Sequence, residues 1–185
     1  MLSAEYTVGP TSERVMDPVD LYNKSLDLLK GRGVAKDEKR SFELNAKAAA
    51  SGDRDAVLAM GWYYFNGVGV DRDLGEARKW YRKSARQKQP GAMFTLGLIS
   101  YEEGRYEEAM RWFESAVKEG HARSLYWIAK LYWRGLGVGR DRRRAEALLA
   151  QAAVRRVPEA RRVLRFLRHS PSRGRPVHAR AVARR

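Results

Sequence analysis

Met60-Gly61-Trp62-Tyr63-Tyr64-Phe65-Asn66-Gly67-Val68-Gly69-Val70, followed shortly by Glu76-Ala77-Arg78-Lys79-Trp80-Tyr81-Arg82-Lys83-Ser84-Ala85, decides the fold. The first stretch is apolar and ends in a Gly-x-Gly turn. In the second, Ala77, Trp80, Tyr81, Ser84 and Ala85 recur at i, i+3, i+4 and i+7, while Arg78, Lys79, Arg82 and Lys83 fall outside that stripe. Such spacing is what a half-buried helix requires. Gly67 directly follows the apolar run, where a left-handed residue commonly ends a helix. The whole reads as helix, tight turn, helix.

The same pattern occurs four times. Ser41, Ala77, Ala109 and Ala145 stand 36, 32 and 36 residues apart, and Ser25, Gly61, Gly97 and Ala129, spaced 36, 36 and 32, form a second ladder that lies 16 residues earlier in repeats one, two and four and 12 earlier in repeat three. A fixed period of this size marks a stacked-repeat architecture. Repeats are expected at residues 17–53, 54–89, 90–121 and 122–157, with paired helices near 55–65 and 73–86, 91–101 and 106–118, and 122–133 and 142–154. In repeat one, Leu21, Leu28 and Leu29 lie on the first helical stripe and the second helix is expected at 38–50. The turn Glu103-Gly104-Arg105 of repeat three is four residues shorter, which gives the single spacing of 32. Pro158-Glu159 opens a last helix, at 158–168, with Ala160, Val163, Leu164 and Leu167 on one side; it is half of a fifth repeat, suited to cap an open-ended stack. Residues 1–16 read as a flexible lead-in and 169–185 as a disordered Arg-rich tail.

Small ladder residues have a steric purpose. Gly61 and Gly97 are mid-helix, where Gly costs about 1 kcal/mol relative to Ala. The expected compensation is close approach of a neighbouring helix, with Ala77 and Ala109 permitting it from the other side.

These stretches, with Ile128-Ala129-Lys130-Leu131-Tyr132-Trp133-Arg134-Gly135-Leu136-Gly137-Val138 of repeat four, resemble the Sel1-like repeat family, relatives of the tetratricopeptide repeats. Repeat one departs from the pattern at Lys24 and Ser25, where the family has Leu and Gly. Repeat three lacks the Gly-x-Gly turn and looks like a plain tetratricopeptide unit. The resemblance implies an all-α fold, a right-handed α-solenoid of four helix pairs plus a C-terminal capping helix. It also implies an adaptor or scaffold function, common in this family in bacterial signalling, secretion and envelope pathways and in eukaryotic quality control.

Composition bounds the rest. The chain has 185 residues and no Cys, so disulfides and Cys-ligated metals are excluded and a reducing cytoplasm suits it. No secretory leader is read at the N-terminus, and no apolar run approaches the roughly 20 residues that cross a bilayer. The net charge of +15 is lopsided: residues 1–129 hold 20 Lys and Arg against 19 Asp and Glu, residues 130–185 hold 17 against 3. Two readings stay open. Arg155, Arg156, Arg161, Arg162, Arg165 and Arg168 could bind nucleic acid or an acidic protein; an Arg-rich, bacterial genome would write the same composition without any such role.

Material for catalysis is sparse. The Gly-x-Gly turns follow helices and recur once per repeat, unlike a dinucleotide loop, which follows a strand. His121 starts a helix, and His169 and His178 lie toward the tail, so no His pair, nucleophile–base pair or metal site is legible and no cofactor is called for. Glu102-Glu103 and Glu107-Glu108 flank a tight turn, the latter pair suiting a helix first turn.

By analogy with tetratricopeptide stacks, the first helix of each repeat lines a concave surface. The positions are Tyr22, Leu26 and Lys30; Leu58, Trp62, Phe65 and Asn66; Phe94, Leu98 and Tyr101; and Tyr126, Lys130, Trp133 and Arg134. Aromatics with a few polar residues and Arg are what recognition surfaces concentrate. Each ring has the alternative of packing against the next helix as core. The expectation is a non-enzymatic protein-interaction module that takes a protein or peptide on this surface; the alternative is anion binding through the Arg-rich end.

Overall fold

Asp is the residue that starts most of the helices. Asp17, Asp37, Asp53, Asp73 and Asp141 each accept a hydrogen bond from a backbone N–H of the first turn, satisfying a donor that the helix itself leaves unpaired. The computed structural model describes residues 16–169, which form nine α-helices and no strand. These are α1 Pro18–Lys30, α2 Glu38–Ala50, α3 Arg54–Asn66, α4 Leu74–Arg86, α5 Pro90–Glu102, α6 Tyr106–Lys118, α7 Ala122–Arg134, α8 Arg142–Val154 and α9 Pro158–His169. Helices α2, α6 and α8 coincide with their sequence expectations; α3, α4, α5 and α7 differ by one residue at one or both ends. His169 ends α9 instead of opening the tail. The lead-in up to residue 15 and the tail from residue 170 lie outside the described residues. No described helix is long and apolar enough to cross a membrane.

The chain divides into two compact units, residues 1–96 and 97–185, with the division inside α5. In the first unit α1 packs on α2, α2 on α3 and α3 on α4. Its core runs through Ala48, Ala49, Ala56, Val57 and Met60. In the second unit α6 packs on α7, α7 on α8 and α8 on α9, around Phe113, Leu125, Leu131, Ala145 and Ala160.

Glycine in the ladder makes room for a ring, not for the alanine ladder. A Cβ on Gly61 would lie 2.6 Å from the Tyr81 ring, and one on Gly97 would lie 2.5 Å from the Phe113 ring. Tyr81 and Phe113 are themselves 4% and 0% exposed, so these rings are core and have nowhere to go. Ala77 and Ala109 are fully buried, but the tight approach that the glycines serve is to the aromatic four residues later in the second helix. In repeat four the corresponding pair is Ala129 with Leu149: as the ladder residue gains a methyl, its partner loses a ring. Repeat one solves the position with polar groups. Buried Ser41 donates to the Ser25 carbonyl at 2.6 Å and lies 2.5 Å from the Tyr63 hydroxyl, and buried Asn45 donates to the Ala56 carbonyl at 3.0 Å. These hydrogen bonds make the burial of both serines and of the Asn45 amide N–H tolerable, while the Asn45 Oδ1 is left without a partner.

The Gly-x-Gly turns dock one repeat on another. Between α3 and α4, Gly69 adopts φ +66° and presses on α2: a Cβ there would collide with the Glu38 carbonyl and come within 3.1 Å of the Lys39 Cα. Gly137, between α7 and α8, is set in the same way against Tyr106 and Glu107 at the start of α6. The corresponding Gly33 of repeat one has φ +69° and nothing within 4 Å.

A second left-handed position follows each second helix: Gly52, Lys88, Gly120 and Arg156. Lys88 and Arg156, with φ of 59° and 63°, bear a strain that glycine would not. Lys88→Gly and Arg156→Gly should each raise stability by about 0.5–1 kcal/mol, read as a higher urea midpoint at unchanged slope. A lower midpoint would show that these side chains contribute contacts worth more than the strain.

Candidate binding grooves

Two grooves, one in each unit, collect some of the expected partner-binding residues: Tyr22, Leu26, Leu58 and Trp62 in the first, and Tyr126, Lys130, Trp133 and Arg134 in the second. In the first unit, α1, α3 and the start of α5 enclose about 460 Å³ lined by Tyr22, Leu26, Leu29, Leu58 and Trp62, with Tyr63 and Tyr81 below and Lys30 and Asp55 at the edges. The three elements are held in place locally. Asp17 and Asp53 cap α1 and α3. Gln89 donates to the Asp55 carboxylate at 3.1 Å, and Arg54 to the Gln87 carbonyl at 2.5 Å, tying the start of α3 to the turn before α5. Trp62 remains 41% exposed although it touches Tyr63 edge-to-face at 5.4 Å. Tyr63, one residue on, is 1% exposed. Neighbouring positions on a helix are about 100° apart, so the chain points one ring into the core and the next into the groove.

Burial, followed by the nearby Asp55 and Asp53 charges, pushes the Tyr22 phenol above its usual range, and burial pushes Tyr81 up to about 12. Both hydroxyls therefore keep their protons at neutral pH, and Tyr22 offers a donor to an occupant.

The second groove, of about 220 Å³, lies among α7, α8 and α9 and is lined by Tyr126, Ala129, Lys130, Trp133, Arg134, Leu149 and Val163. Its cations rest on rings. The Lys130 ammonium sits 4.2 Å from the Trp127 ring centre and 4.8 Å from that of Tyr101. Arg134 donates to the Tyr101 hydroxyl at 3.3 Å, and the Arg142 guanidinium lies over Trp133 at 5.5 Å.

The remaining expected residues are placed differently. Phe65 is half-buried beneath the Arg72 guanidinium, and Asn66 turns its amide back to the Trp62 carbonyl at 2.8 Å; neither lines a groove named above. Phe94 and Leu98 are half-buried and line neither groove, and Tyr101 supports the second groove from beneath Lys130. Sequence reading did not single out Trp127. This ring joins Tyr101, Phe113, Tyr126 and Lys130, and its i, i+3 spacing to Lys130 was the available signal.

Of the arginines considered for anions, Arg155 and Arg156 are exposed in the turn before α9. Arg161 donates to the Ala153 carbonyl at 3.1 Å, closing the end of α8. Arg162 and Arg165 are exposed on α9, and Arg168 is helical with its side chain outside the described set. Among the described residues no group of three or more His, Cys, Asp or Glu could hold a metal ion. His121 precedes α7 as its N-cap, its ring nitrogen 3.0 Å from the Ser124 hydroxyl, and burial lowers its pKa.

The Sel1 repeat model matches residues 28–53, 54–88, 90–121 and 122–153. Its first match begins inside α1, beyond the atypical Lys24 and Ser25. The crystal structure of a Sel1 repeat protein from Oxalobacter formigenes aligns with a TM-score of 0.78 at 29% identity, covering 84% of this chain and 65% of that one. The ERAD-associated E3 ubiquitin-protein ligase component HRD3B of Arabidopsis thaliana is 28% identical over 138 residues, 74% of this chain and 22% of that protein. The chitin synthase regulator SKT5 of Saccharomyces cerevisiae is 31% identical over 99 residues, 50% of this chain and 14% of that protein. The chain thus spans less than a quarter of the length of the curated relatives it matches.

Proposed function

Because the chain belongs to the Sel1 repeat family, we propose that it is a cytoplasmic protein-interaction module, an adaptor or scaffold whose first-unit groove holds a segment of a partner protein. One observation carries this: Trp62, two-fifths exposed, stands at the edge of an apolar groove built from two capped helices. The exposed part of the indole forgoes burial worth about 1 kcal/mol, and tryptophan is among the residues enriched as anchors of protein interfaces. Two relatives are named as a regulator of chitin synthase and a component of a ubiquitin ligase, which supports repeats that serve another protein instead of carrying out chemistry.

The test starts by crosslinking the chain in its native cell and identifying the captured partner. Trp62→Ala should then weaken that partner's affinity by about 30-fold, equivalent to about 2 kcal/mol. Far-UV circular dichroism should stay near that of the parent chain and the thermal midpoint should fall only modestly, because two-fifths of the indole lies outside the packed chain. Loss of helicity in step with binding would make Trp62 a core residue and remove the groove.

A further inference from the structure

We propose that the second groove is a subsite for acidic side chains: an extended peptide that presents two carboxylates and then an apolar residue at successive alternate positions. The inference rests on the reading of the chain as a peptide-binding module and names the chemistry of one part of its partner. Lys130 and Arg134 are one helical turn apart on the same face of α7, and both line the groove. Residues so spaced have their Cβ atoms about 5–6 Å apart. Alternate side chains of an extended peptide project to one side about 6.6 Å apart, so an acid-x-acid segment meets both cations at once. Ala129, Leu149 and Val163 supply the apolar floor for the residue two positions beyond the second acid, which projects to the same side.

The cations are positioned before any ligand arrives. Lys130 is half-buried, with its ammonium over Trp127 and Tyr101, and Arg134 is tied to the Tyr101 hydroxyl. Ring contacts attract a cation but do not neutralise it. Among the described residues neither Lys130 nor Arg134 has a carboxylate partner. A pair of positive charges, one half-buried and one exposed, held in place by ring and hydroxyl contacts and without a carboxylate partner, is complementary to carboxylates and repels basic segments.

Single-stranded nucleic acid is disfavoured by the same geometry. Base binding needs open aromatic faces. Phe113 stacks on Trp127 with centroids 5.8 Å apart and Lys130 covers the same ring, while Arg142 lies over Trp133.

The test uses the full chain and a fluorescein-labelled peptide, Gly-Ser-Glu-Ser-Glu-Ser-Phe-Gly, read by fluorescence anisotropy. Its counterpart with both Glu replaced by Gln should bind at least tenfold more weakly. Lys130→Met, which keeps the stem over the rings, and Arg134→Gln, on an exposed side chain, should each weaken the Glu peptide about fivefold. The double variant Lys130→Glu/Arg134→Glu should in turn prefer the same peptide carrying Lys for both Glu. Trp62→Ala should leave this affinity unchanged, so a failure of the first groove is seen apart from a failure of the second. Equal binding of the Glu and Gln peptides would overturn the proposal. So would full affinity in Lys130→Met and Arg134→Gln, losses of equal size from Arg155→Gln and Arg162→Gln, or tighter binding of a twelve-residue oligothymidylate than of the Glu peptide.

Discussion

Gly69→Ala should destabilise the chain by about 3 kcal/mol, while Gly33→Ala, at the equivalent position one repeat earlier, should cost only about 1 kcal/mol. Both glycines are left-handed, with φ of +66° and +69°. An L-residue held there is strained by about 1–2 kcal/mol, partly offset because alanine restricts the unfolded chain by 0.4–1 kcal/mol. That balance is all Gly33→Ala should show, since its Cβ meets nothing within 4 Å. At Gly69 the Cβ would also run into the Glu38 carbonyl and approach the Lys39 Cα. Backbone has no rotamer by which to yield, so an overpacking cost of about 1–3 kcal/mol is added. Urea unfolding of the two variants reads the difference directly. Equal losses would mean that the α3–α4 turn does not dock on α2, and that glycine serves the turn alone. The consequence reaches the groove: this docking fixes α3 relative to the first helix pair, and so sets Leu58 and Trp62 opposite Tyr22 and Leu26.

Periodicity made the helices and repeats legible, because each half-buried helix must show its stripe wherever it stands in the stack. The 32-residue step and the odd character of repeat one were legible for the same reason. Tertiary partners were not. Reading Gly61 against Ala77 was reasonable from ladder spacing, yet the contact runs to Tyr81, since the helix crossing decides which side chain fills the space. Nor could period alone separate adjacent rings such as Trp62 and Tyr63, which differ by one helical step and by almost the whole of their exposure. The Asp caps were within reach: an Asp before an apolar-periodic run is a recognised helix start. The docking role of the second turn glycine was out of reach, because only the neighbouring repeat reveals what a side chain there would strike.

The size exchange between ladder residue and partner yields the largest effect. Phe113 is fully buried, fills the space at Gly97 and stacks on Trp127. Phe113→Ala should therefore cost about 3–5 kcal/mol, the range for emptying an aromatic site in a core. Gly97→Ala should fail in the opposite way, by overpacking against the ring, at about 2 kcal/mol. Repeat four already holds the compensated solution in Ala129 and Leu149, which line the same groove. Copying it, the double variant Gly97→Ala/Phe113→Leu should recover to within about 1 kcal/mol of the parent. The two single changes, Gly97→Ala and Phe113→Leu, should by contrast sum to about 3 kcal/mol, so the coupling is well above the few tenths seen between independent sites. Additive losses would show that Gly97 and Phe113 do not share a volume. The same cycle tests the second groove, because Phe113 supports Trp127 and Trp127 supports Lys130. If the ring stack positions the ammonium, the double variant should regain stability without regaining full affinity for the Glu peptide.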